Sequence, residues 1–205
     1  MGASFVLHVP RRVLLDRLEA SNGAITIKDI EGDVRLKTSN GRISIEEVKG
    51  TVEADTSNGG VTLANSSGPA EVKTSNGNIK ADGVYGYLDA KTSNGSIKAR
   101  MLKVDSSRPI QMRSSNGGIE LTIDEALTAD IIASTSNASI TVRAPDSLAA
   151  KIKASTSNGS IKTDFDVEGT IKKSMVEGVI SGGGPLLDLG TTNGSIRLLK
   201  GTPEV

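Results

Sequence analysis

Apolar and polar residues alternate along this chain within a unit of 18 residues that repeats many times. The first markers of the unit are Ser-Asn-Gly sequences centred on Asn22, Asn40, Asn58, Asn76 and Asn94. After Asn40, apolar residues follow three and five positions on, at Ile43 and Ile45, and Gly50 follows at the tenth position. A second alternating run then begins at Val52. Because side chains of a strand alternate between its two faces, each unit predicts two short strands joined by two corners.

The markers continue at wider spacing towards the end of the chain. They are Asn116, Asn137, Asn158 and Asn193, at intervals of 22, 21, 21 and 35 residues. Gly follows each marker except Asn137, which precedes Ala138. The interval of 35 residues predicts one degenerate coil, in which residues 174–180 align with residues 155–161.

These repeats predict an all-β fold in a single domain, residues 1–205. A coil of 18–22 residues cannot bury its apolar face alone, so about ten coils should stack into a parallel β-helix, or β-solenoid. We expect right-handed winding, the hand of parallel crossovers, although a left-handed hexapeptide helix would give the same repeat length. An N-terminal cap strand is expected at about 4–21, regular coils at 22–165, and the degenerate coil with a C-terminal cap at 166–205.

The Thr-Ser-Asn-Gly corner is predicted to be structural. Thr38 and Asn40 share the parity of the core residues in their strand, so both should face inward and leave Ser39 outward. The parity shifts after the corner, and Gly41 would allow that shift by adopting a positive φ. Ala138 should then be strained or differently wound, because such a conformation costs an L-residue about 1–2 kcal/mol. The nine marker Asn residues should form a ladder that hydrogen-bonds itself and the corner backbone.

The composition excludes several classes of protein. Aromatic residues make up only 2% of the chain, so the core must consist of Ile, Val, Leu, Ala and Thr. The 24 basic and 24 acidic residues cancel, which argues against a nucleic-acid groove or an anionic membrane surface. Without Cys there is no disulfide, thiolate metal site or cysteine nucleophile. No apolar run is long enough for a membrane span, and no cofactor motif is present.

Outward positions form rows of charge along the predicted solenoid. One row contains Arg35, Glu53, Glu71 and Asp89. The simplest interpretation is a solvated face that keeps the coils in register. A calcium-binding β-roll would need an Asp column that the corners lack. An ice-binding face would need outward Thr rows without charges, whereas the regular Thr column is predicted to face inward.

One local cluster suits an enzyme that acts on a polysaccharide. Asp164 and Asp166 flank Phe165, and Lys172 and Lys173 follow closely in sequence. Glycan-cleaving enzymes use carboxylates that converge on one side of the substrate. The lone His8 has no predicted orienting carboxylate or nucleophile, so it is expected to be a surface or cap residue.

Longer loops interrupt the repeat at the second corner of the coil. They span residues 101–109, 124–128, 145–149 and 177–186. Insertions that cluster on one face of a solenoid often form its binding face. They are therefore the expected place for a binding site.

The repeated Thr-Ser-Asn-Gly-x-Ile with Gly ten positions later resembles a bacterial β-strand-repeat domain family of unknown function that carries the label of an adhesin. The opening Val9-Pro10 and the closing Gly182-Gly183-Gly184 also resemble the two ends of that family. The resemblance implies a non-catalytic β-helical module at the cell surface or in the periplasm, with a glycan or a surface protein as partner. The first residues show no secretory signal and suggest an excised domain. We expect a monomer or weak self-association, and the alternative is a polysaccharide-acting enzyme.

Overall fold

A computed structural model describes residues 8–104 and 108–201 of the chain. These residues form strands and turns without a helix, arranged as two facing sheets of stacked, mainly parallel strands. The chain winds back and forth between the sheets, which confirms the predicted β-solenoid, and sheet 2 stacks nine strands among the described residues, slightly fewer than the about ten coils expected. Leu7, predicted to belong to the first strand, lies outside the described residues, whereas Val9 packs against the core.

Sheet 1 contains eleven strands among the described residues. In chain order they are β1 (Leu15–Ala20), β3 (Val34–Thr38), β5 (Val52–Thr56), β7 (Ala70–Thr74), β9 (Leu88–Lys91), β11 (Ile110–Arg113), β13 (Ile131–Thr135), β15 (Ala150–Thr156), β17 (Glu168–Lys172), β18 (Met175–Ile180) and β19 (Leu186–Thr191). Sheet 2 contains the other nine. They are β2 (Ile25–Glu31), β4 (Ile43–Lys49), β6 (Val61–Ser67), β8 (Ile79–Tyr85), β10 (Ile97–Lys103), β12 (Ile119–Ile123), β14 (Ile140–Ala144), β16 (Ile161–Thr163) and β20 (Ile196–Lys200).

The core lies between the two sheets and consists of rows of equivalent residues. Ile43 and Ile45 of β4 are fully buried, and each pairs in register with its counterpart in β2 and β6. Val52 and Ala54 of β5 supply the matching rows of sheet 1. Parallel neighbours lie about 4.8 Å apart, so each apolar side chain packs on its equivalents above and below. The predicted alternation of buried and outward residues is therefore present within the strands.

The last coil of the chain does not lie at the end of the stack. In sheet 1 the order of strands is β13, β19, β15, and in sheet 2 it is β14, β20, β16. The coil of β19 and β20 is thus inserted between two coils that are consecutive in sequence. Leu189 of β19 pairs with Ala133 on one side and Ala154 on the other. The order of coils in the stack therefore differs from their order in the sequence.

The predicted degenerate coil is instead an antiparallel hairpin of β17 and β18. Strand β18 pairs antiparallel with β15, so that Val176 lies beside Ala154 and is buried. Residues 173–174 form a two-residue turn that reverses the chain after β17, which the repeat alignment could not show. After β18, Gly182 and Gly183 adopt positive φ values of 79° and 87°, and the chain turns back to enter the stack as β19.

Glycine at the first corner is required for close packing of neighbouring coils, and not for the positive φ that the sequence predicted. Gly41 and Gly59 do not have positive φ, so the predicted left-handed conformation is wrong. A Cβ atom added at Gly41 would lie 1.9 Å from the carbonyl oxygen of Gly23 in the preceding coil. At Gly59 the corresponding distance, to Gly41, is 1.8 Å. The backbone of one coil therefore rests directly on the carbonyl of the coil before it, and a side chain has no space there.

The conformation of Ala138 also differs from the prediction. Its φ is not positive, so the left-handed strain predicted for it is absent. The hydroxyl of Thr135 in its corner still donates to the carbonyl oxygen of Gly117, at 2.9 Å. Left-handed residues occur elsewhere, where Asp29, Glu47 and Asn65 stack in sheet 2 with φ between 52° and 56°.

Replacement of a corner glycine inside the column should destabilise the solenoid strongly. In Gly77→Ala the Cβ would lie 1.9 Å from the backbone oxygen of Gly59, and only a shift of the coils could relieve that contact. We expect a loss of about 3 kcal/mol or more in the free energy of unfolding. Gly23→Ala at the end of the same column is the control, because its nearest contact would be Ala20 Cβ at 3.7 Å. Denaturant unfolding compares the two; equal stabilities would contradict the packing argument.

The inserted coil can be tested by disulfide cross-linking, because the chain has no Cys. Ser134, Gly190 and Ser155 face each other in that order across β13, β19 and β15. Neighbouring strands lie about 4.8 Å apart and second neighbours about 9.6 Å, against a Cα–Cα limit of about 7 Å for a disulfide. Oxidation should therefore cross-link Ser134→Cys/Gly190→Cys but not Ser134→Cys/Ser155→Cys. A ready cross-link in the second pair would show that the coils stack in sequence order.

Candidate binding face

The first corner of each coil combines one buried hydroxyl with two exposed polar side chains. Thr92 is buried, and its hydroxyl donates to the carbonyl oxygen of Gly77 at 3.0 Å and accepts the N–H of Gly95 at 3.2 Å. Ser93 and Asn94 are exposed. The buried Thr thus ties each corner to the preceding one, and the next two residues face solvent.

The nine marker Asn residues form one continuous exposed ladder, which we call the amide ladder. In order along the stack it contains Asn22, Asn40, Asn58, Asn76, Asn94, Asn116, Asn137, Asn193 and Asn158. Each Nδ2 donates to the Oδ1 of the Asn one coil earlier, at 2.7–2.8 Å. The last two members are reversed in sequence because the final coil is inserted.

The predicted inward orientation of these Asn residues is wrong, since all nine are exposed. The prediction extended the alternation of β3 beyond Thr38, where that strand ends and the backbone bends. Each amide in the ladder retains a second N–H and a second acceptor site for other partners. The corner therefore presents uncharged donors and acceptors to solvent at intervals of about 4.8 Å.

A row of cations lies beside the amide ladder, on the outer surface of sheet 2. The row occupies positions four residues after the marker Asn, as with Lys80 after Asn76. In stacking order it reads Thr26, Ser44, Thr62, Lys80, Lys98, Glu120, Thr141, Arg197 and Lys162, so its cations begin at the fourth strand of sheet 2. A parallel row two residues further on contributes Arg100 and Arg143, separated by Thr122. We call Lys80, Lys98, Arg100, Arg143, Lys162 and Arg197 together the cationic face.

Acidic side chains neutralise only one half of the cationic face. Lys80 pairs with Asp82 at 3.8 Å, Lys98 with Glu120 at 3.2 Å, and Arg100 with Asp124 at 3.0 Å. In residues 8–104 and 108–201, by contrast, Arg143, Lys162 and Arg197 form no ion pair. Lys162 and Arg197 are direct neighbours on adjacent strands, and Arg143 lies one coil away. Positive charge is therefore concentrated on sheet 2 near the inserted coil, although the chain as a whole is neutral.

The ion pair of Arg100 and Asp124 anchors the edge of this face. The Asp124 side chain is 18% exposed and that of Arg100 is 32% exposed, so the pair is partly shielded from water. The other carboxylate oxygen of Asp124, Oδ1, is buried without a hydrogen-bond partner among the described residues. A depression beside the pair is lined by Lys80, Ala81, Asp82, Lys98, Arg100, Glu120, Thr122 and Arg143, so two acidic side chains lie among its four cations.

The outer surface of sheet 1 has a different electrostatic character. Arg35 contacts Glu53 at 2.5 Å and Asp16 at 3.2 Å, as expected for opposite charges one coil apart. The hydrogen bond from Arg35 lowers the pKa of Glu53 below its usual value. The depression on this surface is lined by both signs of charge, including Arg17, Glu19, Lys37 and Asp55. Sheet 1 thus resembles the solvated face that the sequence suggested.

The structure places two of the residues considered for catalysis on either side of Phe165. Phe165 is buried, while Asp164 and Asp166 on either side of it are exposed. The carboxylate of Asp164 accepts the backbone N–H of Lys200 at 3.3 Å. Lys200 also lies over the Phe165 ring, with Nζ 5.4 Å from the ring centroid. His8 is exposed, as expected for a surface or cap residue.

Three of the inserted loops at the second corner contribute apolar residues to the core. Val104, Leu127 and Leu148 of three successive loops are buried. The hydroxyl of Thr128 donates to the carbonyl of Val104, which links two of these loops. Among the described residues, no group of three or more His, Cys, Asp or Glu side chains is placed to hold a metal ion. The described segments also contain no helix long and apolar enough to cross a membrane.

Comparison with known families decides the affiliation of this solenoid. The family model described as Toastrack DUF4097 matches residues 4–199. The chain belongs to the Toastrack DUF4097 family. This affiliation agrees with the repeat-type fold, while the adhesin label attached to the earlier resemblance finds no support in the match. No curated protein and no solved structure matches this Toastrack domain.

Two stacked carboxyls on sheet 2 make the stability of the Toastrack domain depend on pH. A hydrogen bond to Asp29 and repulsion from it raise the pKa of Glu47 above its usual value. Glu47 therefore binds its proton more tightly in the folded state than in the unfolded state. Its contribution to stability is complete below the usual Glu pKa of about 4.3 and is lost as the pH rises through the raised value.

Glu47→Gln should consequently raise the melting temperature at pH 7, and the gain should disappear near pH 4. Glu46→Gln is the matched control, because Glu46 pairs with Lys28 at 2.6 Å. Its removal should lower the melting temperature at pH 7. Thermal unfolding followed by circular dichroism from pH 4 to pH 8 would measure both changes. An increase in melting temperature for Glu47→Gln that is the same at every pH would contradict the explanation by a raised pKa of Glu47.

Proposed function

We propose that this Toastrack domain is a non-catalytic binding module that holds an acidic, extended polymer along the cationic face and the amide ladder. An anionic polysaccharide fits this chemistry, since it offers carboxylates to the cations and hydroxyls to the amides. The observation that carries the proposal is the group of three cations, Arg143, Lys162 and Arg197, that lack ion-pair partners in the described structure beside a ladder of exposed amides.

The regular geometry of the solenoid supports an extended ligand rather than a small one. Equivalent groups recur at each coil about 4.8 Å apart, so one polymer chain could contact several coils at once. Each exposed ionic contact contributes only about 0.2–1 kcal/mol. Binding would therefore depend on many weak contacts along one molecule, and it should weaken as salt screens the charges.

The proposal includes a location outside the cytoplasm, at the cell surface or in the periplasm. Its support is the sequence resemblance described above, together with the acidic glycans that such a location would supply. Cell fractionation of the natural producer, with an antibody against the domain, would test this part. Recovery of the protein in the cytoplasm alone would contradict it.

Binding can be measured with polygalacturonate as the acidic probe and dextran as the neutral control. Calorimetry at low and high salt should show binding of polygalacturonate that falls with salt, and no binding of dextran. The triple variant Arg143→Gln/Lys162→Gln/Arg197→Gln should bind at least about tenfold more weakly. Lys37→Gln/Lys73→Gln/Lys91→Gln, which removes three cations from sheet 1, is the matched control and should bind as the parent does. Equal losses in the two variants would show that only net charge matters.

The polysaccharide-acting enzyme is the second candidate, because the exposed Asp164 and Asp166 lie near Lys172 and Lys173 in sequence. Release of reducing ends from polygalacturonate during prolonged incubation would reveal cleavage. We expect none. Cleavage that is lost in Asp164→Asn/Asp166→Asn would establish the enzyme and overturn the non-catalytic assignment.

A further inference from the structure

Strand β17 is an open edge at the end of sheet 1. Within the described residues it pairs only with β18, and all five of its residues are exposed. Ile171 is 59% exposed, although it lies directly beside the buried Val176. The two-residue turn after Lys172 directs the N–H and C=O groups of Gly169 and Ile171 away from β18. An unpaired edge of this kind can accept another strand.

The charges around β17 are ordered along the chain. Asp164, Asp166 and Glu168 precede its centre, and Lys172 and Lys173 follow it. In the part of the chain that the structure describes, Asp166, Glu168, Lys172 and Lys173 form no ion pair. A parallel strand in the same register would place like charges side by side, whereas an antiparallel copy reverses the order and brings opposite charges together.

A second copy of β17, antiparallel and centred on Thr170, places a suitable partner opposite each of the five residues of the strand. Glu168 then faces Lys172 of the second copy, and the same contact occurs twice because of the two-fold axis. These are non-hydrogen-bonded pairs, in which facing side chains approach closely. Ile171 faces Gly169 of the second copy. Because glycine has no side chain, the isoleucine side chain can pack on the glycine backbone without a clash. Thr170 meets its own counterpart on the axis.

We propose that two copies of this chain associate through antiparallel pairing of their β17 strands, to form a two-fold symmetric dimer with an eleven-stranded sheet contributed by each copy. The interface is one short strand on each side, so the dimer is weak and forms only at high protein concentration. The pairing uses the edge of sheet 1 and the polysaccharide would lie on sheet 2, although the two places adjoin where the N–H of Ile161 donates to the carbonyl oxygen of Lys173 at 2.8 Å.

Analytical ultracentrifugation over about 10 µM to about 1 mM would test the dimer. The parent should change from monomer to dimer over this range, and sodium chloride should weaken the association. Glu168→Lys and Lys172→Glu should each weaken it at least about tenfold, because each creates two like-charge contacts. Lys37→Glu, a charge reversal on the same sheet far from β17, is the control and should leave the association unchanged.

Mixing the two variants gives the decisive measurement. In a mixed dimer, Lys at position 168 of one chain faces Glu at position 172 of the other, and the second contact pairs Lys172 with Glu168. Equal amounts of Glu168→Lys and Lys172→Glu should therefore associate at least as strongly as the parent. This recovery cannot occur if either variant is misfolded. A parent that stays monomeric, a mixture that does not recover, or species that grow beyond a dimer would each overturn the proposal.

Discussion

The close approach of backbones at the first corner is the constraint on which the rest of this solenoid depends. The Cα of one corner glycine rests against the carbonyl oxygen of the glycine one coil earlier, as at Gly95 on Gly77. The buried Thr hydroxyl fixes the same carbonyl from the core side, as Thr92 does for Gly77. These contacts set the coils in register, and the apolar rows of both sheets then stack on their equivalents. At Gly95 a Cβ atom would lie 1.8 Å from that carbonyl oxygen, so a side chain at this corner would have to shift the coils.

The same register produces the surface chemistry. Because equivalent positions align in rows, side chains of the same charge at these positions form a continuous charged row along the solenoid. On sheet 1 the charges are mixed, and Arg35 and Glu53 neutralise each other. On sheet 2, Arg197 and Lys162 are brought side by side, with Arg143 one coil away. The amide ladder runs beside them because the corner and the cationic row are four residues apart in every coil.

The last coil and the hairpin of β17 and β18 occupy different places in the stack. The final coil enters the stack between β13 and β15, so its apolar residues, such as Leu187 and Leu189, are covered on both sides. The hairpin of β17 and β18 then extends sheet 1 beyond β15, and the buried Phe165 belongs to the core. This arrangement brings together residues that are distant in sequence, and it leaves β17 as the exposed edge of sheet 1.

The amino-acid sequence by itself determined the strands, their inward rows and the two-corner coil, because alternation and an 18-residue period are local properties. The alternation of inward and outward side chains holds only within a strand. It predicts an inward Asn40, but β3 ends at Thr38 and Asn40 is exposed. The sequence could not predict the insertion of the last coil either. Ile196 lies three residues after its marker Asn, as Ile140 and Ile161 do, and every coil offers a similar strand edge for pairing. The repeat therefore predicts that a coil stacks, but it does not predict which coil becomes its neighbour. Only the tertiary structure decided that order, the exposure of the amides and the absence of partners for Arg143, Lys162 and Arg197 in the described residues, because each depends on which coils become neighbours in space.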